Sequence, residues 1–381
     1  MCETVSRMSD VMRVSVAPGN TDRIEALVET PTGDLRIVTE SNYTLDRTLT
    51  PWLPPAMAAA MRSGWDLELN GPVDAAAVTG AERAGDVIVG WYPSRYSAIT
   101  ISGSPDPSNR PQTGGVGCFF SGGVDSFYST ITQLDRITHL VFVHGFDIHI
   151  DNDDLAERAL TAVREAAAEL GKPLIEVRTT IRSALGEPLG IPWDYLYHGP
   201  SLAHVGLALS SHLSTVIIPS SKTYEQLEPW GSHPDLDPLW SSRTVEFEHH
   251  ELEADRFAKI RRISTSETAM KHLRVCWENR QSAYNCGRCY KCIRTQVGLM
   301  VAGGASAMLP SSVNPNDVRE LVLTRELERR RLREWIHALR EAGISDPALE
   351  KAIKSAVRRS YFWRLRYMRA AATRYLRQQR P

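Results

Sequence analysis

The chain has 381 residues, 42% of them hydrophobic and 23% charged, with a formal net charge of −1. This composition excludes a disordered chain, and the length supplies ample core for two or three domains. There is no run of eighteen apolar residues, and the N-terminus MCETVSRMSD lacks an apolar secretory core, so a cytoplasmic protein without a membrane span is expected.

In chain order, short alternating runs at Met12–Val16 and Leu35–Thr39 predict strands. Met57–Met61 and the stretch after Pro72 predict helices. Residues 1–112 therefore read as a small α+β domain, ending in the Pro-, Gly- and Ser-rich linker Gly103–Gly115. From 113 to 300 strands and helices alternate. Strands are expected at Val116–Phe120, Leu140–His144, Leu174–Arg178 and Thr215–Pro219. Between them lie helical stretches from Asp125 to Leu134, from Asp154 to a stop at Gly171, and from Ser201 to Leu213. That alternation predicts an α/β fold with a doubly wound parallel sheet, whose ligands sit at the carboxyl ends of the strands. Residues 301–381 read as a helical, basic extension, within which Glu320–Ala342 is expected to be a solvated helix.

The first parallel strand runs into Ser121-Gly122-Gly123-Val124-Asp125-Ser126 and then directly into a helix. Paired glycines let a backbone approach an anion closely, and the N–H groups at a helix start favour phosphate. The Ser121 and Ser126 hydroxyls can add hydrogen bonds, and Asp125 can hold Mg²⁺ or order the loop. A Walker-type lysine after the glycines is missing. An ordinary N-cap turn is the plain alternative.

FFSGGVDS resembles the SGGxDS loop of the PP-loop ATP pyrophosphatases (the HUP-like, adenine nucleotide alpha hydrolase-like superfamily), which split ATP into AMP and pyrophosphate. The resemblance implies that residues 121–126 grip the β,γ-phosphates while a substrate oxygen attacks the α-phosphate. It also implies that His144-Gly-Phe-Asp147, after the second strand, lies near the adenosine, with His144 and Asp147 as nucleotide contacts.

Of six cysteines, Cys276, Cys286, Cys289 and Cys292 crowd into seventeen positions. Four thiolates with no spare coordination position suit a structural, tetrahedral Zn²⁺, with Gly287 easing the turn and Arg288, Lys291 and Arg294 offsetting charge. An iron–sulfur cluster is the rival occupant. The run Asn285-Cys-Gly-Arg-Cys-Tyr-Lys-Cys-Ile-Arg294 is similar to the CGxCxxCxxR segment of the 7-cyano-7-deazaguanine synthases, so the resemblance narrows to a QueC-like ligase. It spans roughly Val116 to Leu299 and implies adenylation of a carboxylate or carbonyl oxygen by ATP, then attack by ammonia or an amine. Lys222 and Arg294 are the candidates for charge stabilisation, with Asp125 as the third catalytic residue.

The loop Glu228–Ser242 departs from that family's pattern and is expected to carry specificity. Trp230 and Trp240 could stack on a planar ligand there, with His233, Asp235 and Asp237 as polar contacts; mere packing of the tryptophans is the alternative. Phe247-Glu-His-His-Glu251 could add a base, with paired surface histidines at a helix start as the commoner reading. Cys118 reads as a core residue rather than a sulfur carrier. Cys2 stands where a class II glutaminase has its nucleophile, but Glu-Thr follows it. The last thirty-one residues hold ten Arg or Lys and no acid, with Tyr361, Phe362, Trp363, Tyr367 and Tyr375 interleaved. This suits RNA, an anionic membrane surface, an acidic protein or the chain's own acidic body. A tRNA-modifying ATPase and a module of a multi-protein system are the alternative functions, and a homodimer is left open.

Overall fold

The computed structural model describes residues 10–108, 114–323 and 326–360; Cys2 and the aromatic residues expected in the basic tail lie outside them. The chain divides into two compact units, Met1–Asp255 and Arg256–Pro381.

Five strands open the first unit: β1 (Val11–Val16), β2 (Arg23–Thr30), β3 (Gly33–Ser41), β4 (Asp66–Val73) and β5 (Ile101–Pro105). Helices α1 (Leu53–Ser63) and α2 (Ala75–Trp91) lie between the later ones. Asp74 caps α2 by accepting the Ala77 N–H at 3.0 Å. Alternation then follows: β6 (Val116–Phe119), α3 (Val124–Thr132), β7 (His139–His144), α4 (Asp153–Glu169), β8 (Leu174–Thr179), α5 (His198–Ala208), β9 (Thr215–Pro219) and β10 (Glu246–His250). Asn152 caps α4, and Gly171 after it takes φ +67°, as a helix stop requires.

All ten strands form one sheet in the order β10-β9-β6-β7-β8-β3-β2-β1-β4-β5. The five later strands are mutually parallel. Their apolar runs, such as Leu140-Val-Phe142 and Val216-Ile-Ile218, are buried on both faces because helices cover both. The expected α/β architecture is therefore present as a ten-stranded, mostly parallel sheet flanked by helices.

The division expected at 112 falls inside this sheet. β3 pairs antiparallel with β8, Thr39 opposite Thr179, and Val14, Ile24 and Ile37 share one core with Phe119, Val216 and Phe247. Part of the expected linker is the edge strand β5, where Pro105 is tolerated because one side has no ladder to complete.

The expected helix start at 247–251 is instead β10. His249 is almost wholly buried against Asp237, and His250 bonds to Ser129 Oγ at 3.0 Å, so neither is a bare surface histidine.

The second unit is helical: α6 (Arg256–Ile263), α7 (Glu267–His272), α8 (Tyr290–Val301), α9 (Pro315–Glu320) and α10 (Glu326–Glu341). The segment expected to be a solvated helix is amphipathic: α10 buries Leu332, Trp335 and Leu339 with Ile293 and Val297 of α8. Its charges had masked an apolar stripe at helical spacing. The division expected at 300 falls within this unit. Among the described residues no helix is long and apolar enough to cross a membrane.

Candidate functional site

The strand order reverses between β6 and β9: β7 and β8 lie to one side of β6, β9 and β10 to the other. Chains leaving two such strands diverge, which leaves a crevice at their carboxyl ends. The turn Ser121–Ser126 occupies that point. Gly122 has φ +74°, a conformation that costs other residues strain. Gly123 is the N-cap of α3, with no side chain capping the helix, while Asp125 sits in its first turn. Ser121 is exposed and Val124 buried. Ser126 is also buried, and its hydroxyl donates to the Gly123 carbonyl at 3.1 Å, so it orders the turn from beneath.

Across the crevice β9 ends in Ser220-Ser221-Lys222. Ser220 and Lys222 close a tight turn on each other, and the Ser221 hydroxyl donates to Asp125 Oδ2 at 3.4 Å. Lys222, expected from sequence alone, has its Nζ 2.9 Å from Glu228 Oε1 and 4.2 Å from the centre of the Trp230 ring. On the other side β7 ends in His144. This imidazole is buried, which pushes its pKa down, and it bonds to the His149 carbonyl at 3.2 Å. Asp147, on the turn that follows, is exposed.

Several residues of this crevice were missed by the sequence reading. Two π-helical turns, Arg182–Gly186 and Trp193–Tyr197, flank it, a feature that often marks functional sites. The Arg182 guanidinium lies 4.7 Å from the Trp193 ring centre. His198 stands between Trp193 and Trp230, 6.1 and 6.2 Å away by ring centres. Burial lowers its pKa, despite the nearby Asp237, Asp194 and Asp147. Because Nδ1 faces the Trp193 carbonyl at 3.2 Å, it must carry the hydrogen, which leaves Nε2 as the base. Gly199 and Gly231 bring the Trp230 loop this close to α5: a β-carbon on Gly199 would lie 1.8 Å from the Gly231 carbonyl oxygen. The only early signal was aromatic density around Trp193 and Trp230.

The rest of the 228–242 loop turns inward instead of reaching for a ligand. Trp240 and Asp237 are fully buried, and His233 nearly so, stacked edge-on against Trp91 at 4.8 Å. Asp237 accepts from Ser232 Oγ at 2.7 Å and pairs with His249 Nδ1 at 2.6 Å. These groups hold the loop, while Trp230 and exposed Asp235 remain at the surface. Cys118 is fully buried in β6, its thiol pushed up to about 12 by desolvation, as a core residue would be. A separate polar cavity of about 90 Å³, lined by Asp46, Asp74, Ser210 and Arg243 among others, lies at the opposite, amino-terminal ends of the strands. Arg243 and Asp74 close it with a 2.7 Å ion pair.

In the second unit the four cysteines come together with all their sulfurs within 4.8 Å of one another. Cys276–Cys289 and Cys286–Cys292 sulfurs are each 3.9 Å apart. A disulfide needs about 2.05 Å, whereas a tetrahedron of Zn–S bonds of about 2.3 Å has edges of roughly 3.8 Å. The donor set therefore fits a metal ion, and zinc in particular. Backbone N–H groups of Cys289 and Cys292 point at the sulfurs of Cys286 and Cys289, at 3.3 and 3.5 Å. Asn285 Oδ1 accepts the N–H groups of Val275 and Cys276, while its Nδ2 holds the carbonyls of Leu273 and Met308. With four sulfurs this close, S–H donors from Cys289 and Cys292 hold the Cys276 thiol low and are themselves pushed up. Arg294 belongs to α8 of this unit.

Comparison with protein-family models, with curated proteins and with solved structures returned no match.

Proposed function

We propose that the first unit is a PP-loop ATP pyrophosphatase working as an AMP- and pyrophosphate-forming, QueC-like ligase. The observation that carries this reading is the position of the Ser121–Ser126 turn at the strand-order reversal, with Ser221 of the adjoining strand end on Asp125. The β,γ-phosphates of ATP lie over Ser121, Gly122 and Gly123, against the first N–H groups of α3, whose dipole favours negative charge. The Asp125 carboxylate would hold Mg²⁺, which neutralises charge on the departing diphosphate. A substrate carboxylate or carbonyl oxygen attacks the α-phosphorus, and the turn stabilises the pyrophosphate as it leaves. His144 and Asp147 border the nucleoside. Lys222, held on the Trp230 face by Glu228, serves the developing charge on the α-phosphate. Ammonia or an amine then attacks the activated carbon, AMP departs, and His198 Nε2 takes the amine's proton.

Incubated with Mg²⁺-ATP, ammonium and small molecules from a cell extract, the purified chain should form AMP and pyrophosphate. Formation of ADP and phosphate would overturn the assignment. Asp125→Asn should abolish turnover with a nearly unchanged melting temperature, since the amide keeps the shape of the half-buried side chain and an oxygen for the Ser221 hydroxyl.

A further inference from the structure

Charge divides at the boundary between the units. Met1–Asp255 holds 35 acidic and 17 basic residues, a net −18, whereas Arg256–Pro381 holds 27 basic and 10 acidic, a net +17. The ligase chemistry of the first unit makes no use of this polycation. Within the second unit, the cysteine knuckle carries part of it. Between Cys276 and Cys292 there are three cations, Arg280, Arg288 and Lys291, against one acid, Glu278. Arg288 and Lys291 each sit between two ligand cysteines, so the backbone holds them beside the cluster. The Arg280 guanidinium pairs with Glu278 and, less strongly, feels the charges of Cys286 and Cys289. All three are exposed.

Trp277, which directly follows the first cysteine, is 51% exposed. The loop joining it to the remaining cysteines is strained: Asn279, Gln281 and Ser282 all take left-handed backbone, with φ of 48°, 54° and 51°. Non-glycine residues held in this region cluster at ligand clamps. An exposed indole on the same knuckle as three exposed cations matches the two demands of an unpaired nucleotide, a π-face to stack on and a charge to neutralise.

We propose that the knuckle face of the second unit binds single-stranded nucleic acid, with Trp277 stacking on an unpaired base and Arg280, Arg288 and Lys291 holding adjacent phosphates. The acidic first unit would repel the same ligand, which favours the second unit. A duplex keeps its bases stacked and gains nothing from Trp277.

The test uses the full chain loaded with zinc and fluorescein-labelled 20-mers of mixed sequence: single-stranded RNA, single-stranded DNA and duplex. Single strands should bind more tightly than duplex, and the RNA and DNA arms reveal whether a 2′-hydroxyl contributes. Trp277→Ala should weaken single-strand binding about 5- to 150-fold, with Trp277→Phe restoring most of it. Arg280→Gln, Arg288→Gln and Lys291→Gln together should reduce the slope of log K against log salt by about 2, at roughly 0.7 per lost phosphate contact. Zinc content checks that each variant is folded; should the triple variant lose zinc, the Trp277 pair decides. Tighter binding to duplex, or affinity unchanged in Trp277→Ala, would overturn the proposal and leave attraction between polyelectrolytes only.

Discussion

His204 sits where the early strands join the parallel ones, and protonating it tests that join. Its ring is fully buried on α5, 4.5 Å from Trp52. Nδ1 donates to the Pro51 carbonyl at 2.9 Å, and Nε2 accepts from Thr39 Oγ1 at 2.9 Å. Thr39 in turn bonds Thr179 across the β3–β8 pairing at 2.8 Å. Burial outweighs the carbonyl bond and lowers the pKa from 6.5 to about 4. The unfolded chain therefore binds a proton below about pH 6.5 that the folded chain refuses until about pH 4. Stability from this group is complete above the upper value and lost as pH falls through that window. At about 1.4 kcal/mol per unit over 2.5 units, the full loss is about 3.5 kcal/mol, of which about 3 kcal/mol has gone by pH 4. Urea unfolding followed by tryptophan fluorescence, from pH 7 to pH 4, should show the wild type's advantage over His204→Asn shrinking by about that amount. Burial also lowers His144, His198 and His233, but those residues are common to both proteins and cancel. Parallel pH profiles for the two would refute the reasoning.

Gly145→Ala should destabilise the first unit by about 2–3 kcal/mol, lowering Tm by roughly 5 °C or more. Its φ is +110°, and a β-carbon would lie 2.0 Å from the Thr179 carbonyl oxygen; an unchanged melting curve would contradict that fit. Cys289→Ser removes one of four thiolates while leaving a hydroxyl that can still cap α8. Metal analysis should fall from about one zinc per chain to near none, with early loss of the second unit's helical signal on heating. Retention of full zinc would refute the closed four-sulfur site.

The lesson of the sequence lies in which signals were local. SGGVDS followed by a helix, the alternating strands and helices from Val116 to Pro219, and four cysteines in seventeen positions were legible because each depends on backbone and spacing over a few residues. The sequence determined the turn, the parallel core and the metal donors. Only the tertiary structure decided that β3 pairs with β8, which merges the N-terminal strands into the same sheet, because pairing depends on residues 140 apart. It also decided that His249 and Asp237 face each other in the interior and that His198 stands between Trp193 and Trp230 beside the crevice. Composition cannot distinguish a histidine with a buried partner from one at the surface. Long-range packing makes that choice, since a buried polar group persists only where a distant segment supplies its hydrogen bond.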